Sequence, residues 1–204
     1  MFRTRKALNW LLVASFLVLL ALPAEAKGLY FGASLGQADV KDLGLAPIAD
    51  GSSLTGGADG TDNGWKFFGG FKVNRFIHAE LSYRDYGQAS FLAMSDGSGT
   101  IFAAGPVEGL SDTTAFSVSA MVVLPAGRFR FFGKAGAARW RTETSIRHSM
   151  GSFAMRESDG IDAMYGLGAA FALKKSMGVR AEYERITTDA VERDFFSAGV
   201  HFRF

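Results

Sequence analysis

The chain has 204 residues, enough for one domain of ordinary size, and combines 25 glycines and 19 phenylalanines with 4 prolines and no cysteine. The lack of cysteine excludes disulfides, thiolate zinc sites and a cysteine nucleophile. Residues 1–26 hold three of the 22 basic and one of the 20 acidic residues, leaving 19 of each; a segment near zero net charge has no electrostatic footprint for nucleic acid, so no such partner is expected.

Arg3, Arg5 and Lys6 form a charged start, Trp10 to Leu22 a largely apolar run of 13 residues, and Ala24-Glu25-Ala26 a small-x-small cleavage pattern. Together they read as a signal peptide over residues 1–26, cut after Ala26. Thirteen residues are too few to span a bilayer as an uncleaved helical anchor. Beyond residue 26 no apolar run is long enough for a membrane helix, so an exported chain of this kind is soluble or crosses a membrane only as a barrel.

From Leu29 to Gly36 side-chain character alternates with period two, as in a strand with unlike faces. Gln37 to Asn63 is rich in aspartate and glycine and reads as a long exposed loop. Gly64–Asn74 and Phe76–Tyr86 then form a hairpin: Trp65, Phe67, Phe71, Ile77 and Leu81 lie on one face, and Lys66, Lys72, His78, Glu80 and Arg84 on the other. Gly87 to Asp112 is again a loop, with Phe91, Leu92, Ile101 and Phe102 suggesting ordered extensions.

Thr113–Leu124 alternates Phe116, Val118 and Val122 against Ser117, Ser119 and Met121, and Pro125-Ala126-Gly127-Arg128 turns the chain. In Phe129–Arg141 the face with Arg130 and Lys134 also carries Phe132 and Trp140, and is assigned to the interior. Thr142–Asp159 is the third long connection; Gly160–Leu173 and Met177–Ile186 follow, joined by Lys174-Lys175-Ser176, the latter strand pointing Arg180, Glu182 and Glu184 inward. After Thr187–Arg193 the chain ends in Asp194–Phe204, with Phe196, Val200, Phe202 and Phe204 opposite Ser197, His201 and Arg203.

Eight strands with alternating long and short connections predict an all-β fold: an eight-stranded antiparallel transmembrane β-barrel over residues 27–204, an up-and-down meander with its last strand closing on its first. The pieces G-L-Y-F-G-A-S-L-G, G-W-K-F-F-G-G-F-K-V-N-R-F-I-H-A-E-L-S-Y, F-F-G-K-A-G-A-A-R-W and G-V-H-F-R-F, in that order, resemble the OmpA-like and opacity-protein-like outer-membrane barrels. The resemblance implies a Gram-negative outer membrane, with lipid and lipopolysaccharide as surroundings. It also implies recognition of the alternate Val200, Phe202 and Phe204 by the barrel-assembly machinery. No peptidoglycan-binding domain follows the barrel, so a cell-wall tether is not expected. Members of such families include structural proteins, adhesins, serum-resistance factors and small pores, so the fold does not select the function.

Four sets of residues are candidates. Lys66, Lys72, Glu80, Arg84, Arg130, Lys134, Arg180, Glu182, Glu184 and Arg203, with His78 and His201, are expected to face the lumen. They form either a satisfied ion-pair plug or a gated pore in which pairs such as Glu80 with Lys134, or Glu182 with Arg180, exchange partners. Arg139, Arg141, Arg147 and Arg156, with His148 and Trp140, lie where strands leave the membrane; the arginines either contact lipopolysaccharide phosphates or are solvated loop charge. His148-Ser149 with Glu157 has the residue types of a hydrolase, but adjacent His and Ser point to opposite faces of an extended loop. Asp59-Gly60-Thr61-Asp62-Asn63-Gly64 has Gly70, not Glu, at the twelfth position of a calcium loop, and reads as a flexible acidic loop.

The expectation is a non-enzymatic barrel with an envelope-structural or surface-recognition role, needing no cofactor or metal. It would present loops near 37–63, 88–112 and 142–159 to an extracellular ligand. A small pore for ions or solutes, and a lipid-A-modifying enzyme, are the alternatives.

Overall fold

The structure, a computed structural model of the chain, describes residues 28–41, 54–59, 61–99, 102–148, 151, 153–187 and 192–204. The expected signal peptide over residues 1–26 lies outside them. The elements are β1 (Leu29–Lys41), β2 (Leu54–Asp59), β3 (Thr61–Lys72), β4 (Ile77–Ser95), β5 (Gly105–Ala126), β6 (Phe129–His148), β7 (Phe153–Ala172), β8 (Met177–Thr187) and β9 (Glu192–Arg203). Apart from β2, each pairs antiparallel with the next along the chain, and β9 returns to β1 over Tyr30↔Arg203 to Lys41↔Glu192, closing the barrel.

Nine segments make eight staves. β2 pairs only with β4, at Asp59↔Ser90, along the line that β3 follows from Trp65↔Asp85, so β2 prolongs that stave. Between Asp85 and Gln88 the register against β5 slips by one residue, with Gly87 at a φ of +76°. Such a bulge bends the strand and increases its twist.

The period-two pattern separates two environments. Leu35, Phe67, Phe71, Leu81, Phe116, Val118, Val122, Phe131, Ile161, Leu167 and Phe196 all point outward and are highly exposed. At about 25 cal/mol per Å² this belt would be strongly unfavourable in water and is at home against hydrocarbon. The opposite face holds the buried polar residues, among them Lys66, Glu80, Arg84, Lys134, Glu182 and Glu184. Short turns close one end. At the first, Val73 N donates to Ile77 O (2.9 Å), while Asn74 Oδ1 accepts from Phe76 N and Ile77 N, both at 2.8 Å. At the second, Gly127 adopts a φ of +64°, a left-handed geometry that favours glycine.

At the other end three expectations are corrected. The segments 88–112 and 142–159 are mostly strand: β4 and β5 pair as far as Ser95↔Gly105, and β6 and β7 to Arg147↔Phe153. The segment 37–63 likewise contains the end of β1, all of β2 and the start of β3, so Asp62 lies in a strand. Their polar, glycine-rich composition masked the alternation because neither face there meets hydrocarbon. From Gly105 to Ala115, β5 runs roughly 30 Å beyond the apolar belt. The overhanging sheet has its own buried cluster of Phe91, Ala93, Phe102, Val107 and Ile146.

Candidate functional site

The lumen is filled in layers along the barrel axis. In the middle, β3 and β4 place Lys66 and Arg84 directly opposite each other, β6 supplies Lys134, and β8 supplies Arg180, Glu182 and Glu184 in alternation. Four cations therefore surround three carboxylates, none more than 5% exposed. Arg180 grips Glu80 through Nη1–Oε2 at 2.6 Å and Nη2–Oε1 at 3.0 Å, and its Nε donates to Glu182 Oε2 at 3.0 Å. Lys134 Nζ lies 3.1 Å from Glu80 and 3.2 Å from Glu182, and also contacts Glu184. Lys66 Nζ is 2.8 Å from Glu184 and in contact with Glu182, while Arg84 reaches Glu184 at 2.5 Å.

Burying this many charges in a narrow barrel is tolerable only because every carboxylate is shared. Glu80, for example, also accepts from Tyr30 Oη at 3.1 Å, and Arg84 donates to Tyr86 Oη at 2.9 Å. The Arg180 guanidinium lies between the rings of Phe68 and Phe132, 4.4 Å from each centroid, and both electron-rich faces attract the cation. Glycines opposite bulky groups provide the space: a Cβ on Gly168 would sit 2.4 Å from Phe132 Cζ, and one on Gly70 would sit 2.5 Å from Tyr30 Oη.

Above this cluster, away from the short turns, lies an apolar layer of Ala38, Tyr86, Ala115, Ala138, Met164, Ile186 and Phe195, with Trp140 packed against it. Trp140 Nε1 donates to Asp162, and the Arg193 guanidinium stacks on the indole at 4.2 Å. Near this rim Arg185 binds Asp194 through Nε (2.6 Å) and Nη2 (2.7 Å), and Tyr183 Oη donates to Asp194 at 2.7 Å.

Below the cluster, at the short-turn end, the remaining candidates line a hollow of about 40 Å³ that opens to solvent: Lys72, His78, Arg130, His201 and Arg203, with Tyr30, Phe132 and Arg180. Lys72, Arg130 and Arg203 make no ion pair among the described residues, so the ten expected lumen charges divide into a bonded group of seven and an acid-free group of three. Tyr30, Phe68, Tyr86 and Phe195 were not among the candidates. For Phe68, Tyr86 and Phe195 the signal was an aromatic on the charged face of its strand, the same anomaly that marked Phe132; for Tyr30 it was an aromatic on a face otherwise of glycine and serine.

The second set does not form one surface. Arg139 and Arg141 face outward, immediately beyond Ala137 of the belt, and pair with Asp159 at 3.8 Å and with Glu157. Arg147 shares their exposed face, whereas Arg156 opposes Thr144 on the inner side of the sheet. All four stand on strands rather than in loops. His148 is buried beside Phe102, with ring centroids 6.2 Å apart, while Glu157 faces outward against Arg141; the pair is therefore separated by the sheet, and Ser149 lies outside the described residues.

A closed eight-stave meander with an apolar outer belt and a charged, filled lumen defines a transmembrane β-barrel. The chain belongs to the family of outer membrane protein beta-barrel domains, whose model matches residues 10–204. It is thereby an outer-membrane protein of the Gram-negative type. No curated protein matches it in sequence. Among solved structures it is similar to Ail, the attachment invasion locus protein of Yersinia pestis, at 18% identity and a TM-score of 0.51, covering 87% of this chain and 99% of that one. It is also similar to Neisserial surface protein A, at 16% identity and a TM-score of 0.53, covering 87% and 98%. The N-terminal barrel of Pseudomonas aeruginosa OprF gives 13% identity and a TM-score of 0.53, covering 87% and 98%. At these identities the likeness is one of fold.

Proposed function

We propose that the protein is a surface-recognition barrel without catalytic activity, whose overhanging sheet is the contact element. The observation that carries this reading is an apolar group on the outward side of that sheet, beyond the membrane belt. Leu92 (66% exposed), Met94, Leu110 and Met155 (69%) stand among polar neighbours, and the row Ser90↔Leu110↔Ser145↔Met155 crosses four strands. Exposed apolar groups on an otherwise polar face mark interaction sites. The attachment protein Ail, which shares the fold, has been crystallised with the heparin analogue sucrose octasulfate. The outward arginines Arg139 and Arg141, at the outer boundary, and Arg147, at the far end of the overhang, are assigned to lipopolysaccharide phosphates, and Val200, Phe202 and Phe204 to recognition during assembly.

The test is binding of intact cells to host-cell monolayers and immobilised sulfated polysaccharide, comparing the parent chain with the variant carrying Leu92→Ser, Met94→Ser, Leu110→Ser and Met155→Ser. Loss of binding with an unchanged heat-modifiable gel shift supports the reading. Equal binding by both chains refutes it. A pore is disfavoured by the apolar layer stacked on the ion cluster, in which Met164, Ile186 and Phe195 are fully buried inside the barrel.

A further inference from the structure

The acid-free group at the short-turn end serves neither the ion cluster nor the outer sheet. Lys72 ends β3, Arg130 begins β6, and Arg203 lies on the closing strand β9, so three strands distant in sequence deliver cations to one cavity, joined by His78 and His201. No Asp or Glu lines it. Glu80, on the side of the ion cluster, is already shared between Arg180, Lys134 and Tyr30. Lys72, Arg130 and Arg203 are near enough to repel one another. Two side chains are built into the wall with polar atoms unused: His201 is 6% exposed with Nδ1 unpartnered, and Arg203 is 9% exposed with Nε unpartnered, although its Nη2 donates to Lys174 O at 3.2 Å.

Clustered cations in a partly enclosed, low-dielectric pocket raise the free energy of the empty site, and a multiply charged anion relieves it. Guanidinium forks match tetrahedral oxyanions in two-pronged geometry, and three formal charges suit a phosphate better than a carboxylate, which would neutralise only one. We infer that this vestibule is a periplasm-facing binding site for a phosphate group, carried either by a soluble phosphomonoester or inorganic phosphate or by the headgroup of an inner-leaflet phospholipid. Arg130 and Arg203 grip the oxygens, Lys72 adds charge at the mouth, and His201 offers a hydrogen bond through Nδ1.

The test uses the full mature chain, folded in a non-ionic maltoside detergent and titrated calorimetrically. Inorganic phosphate is expected to bind at one site, and chloride at matched ionic strength to give no such isotherm. A short-chain phosphatidylglycerol titration separates the sources: tighter binding than phosphate assigns a lipid headgroup, and weaker binding a soluble phosphate. The variant Arg130→Gln with Arg203→Gln should weaken phosphate binding at least tenfold. Lys175→Gln, in the neighbouring surface turn, should leave it unchanged. Should the double variant not fold, Lys72→Gln, at a strand end without an ion pair, gives the same readout. Equal binding of chloride, undiminished phosphate binding by the cavity variants, or equal weakening by Lys175→Gln would overturn the assignment.

Discussion

Arg180 and Glu80, 100 residues apart on β8 and β4, meet across the lumen in a two-pronged pair with bonds of 2.6 and 3.0 Å. The pair closes the side of the cluster that faces the cationic vestibule. Arg180 lines both regions, so its partnership with Glu80 separates a neutralised layer from an unneutralised one.

Removing the acid should therefore cost more than removing the pair. Glu80→Gln leaves four buried cations facing two carboxylates, and is expected to destabilise the barrel by about 3–5 kcal/mol. Glu80→Gln combined with Arg180→Met should cost less than the sum of the single changes, because Phe68 and Phe132 offer the methionine an apolar slot. Reversible urea unfolding in vesicles, followed by tryptophan fluorescence, measures both.

Neutralising charge alone should not open a channel. Glu80→Gln with Glu182→Gln disrupts the ion cluster but leaves Tyr86, Met164, Ile186 and Phe195, each no more than 2% exposed, blocking the lumen above it. Single-channel current in planar bilayers is expected to match the parent. Adding Met164→Ala and Phe195→Ala removes the second barrier and should raise it.

Phe204 is expected to matter more for assembly than for stability. Its ring is 61% exposed and stacks on Phe31, at 5.5 Å, in a position that faces lipid. Phe204→Ala is expected to reduce the folded barrel reaching the outer membrane several-fold, as measured by heat-modifiable gel shift in membrane fractions. Refolding yield of the same variant in detergent should stay close to that of the parent.

Arg139 and Arg141 make ion pairs that water screens, so their loss should leave the unfolding midpoint unchanged within error. Arg139→Gln with Arg141→Gln is nevertheless expected to weaken association of the purified barrel with lipopolysaccharide several-fold in a titration at low salt. Arg156→Gln, on the opposite face of the sheet, should have no such effect.

Export should remove residues 1–26. Intact mass of the protein from outer membranes is expected to fit a chain starting at Lys27, and Ala26→Leu should slow this processing.

Strand alternation, lumen composition and closure of the last strand on the first were all legible in the sequence, because a membrane barrel imposes one rule on every stave. Each residue must suit either lipid or the interior, with period two. Arg130, Phe132, Lys134 and Trp140 shared a face as expected despite their mixed chemistry. The overhang was not legible: in Gly87–Asp112 and Thr142–Asp159 both faces leave the hydrocarbon, the selection against outward polar groups disappears, and strands read as loops.

Within the lumen, the sequence determined which side chains point inward, since parity along a strand is local. Only the tertiary structure decided which of them meet. Height along the axis depends on strand stagger, and stagger arises from pairings such as Gly70↔Glu80 and Gly168↔Glu182 between strands whose register no local pattern records. That stagger raised Lys66, Glu80, Arg84, Lys134, Arg180, Glu182 and Glu184 to one level and left Lys72, Arg130 and Arg203 together at the short-turn end without an acid.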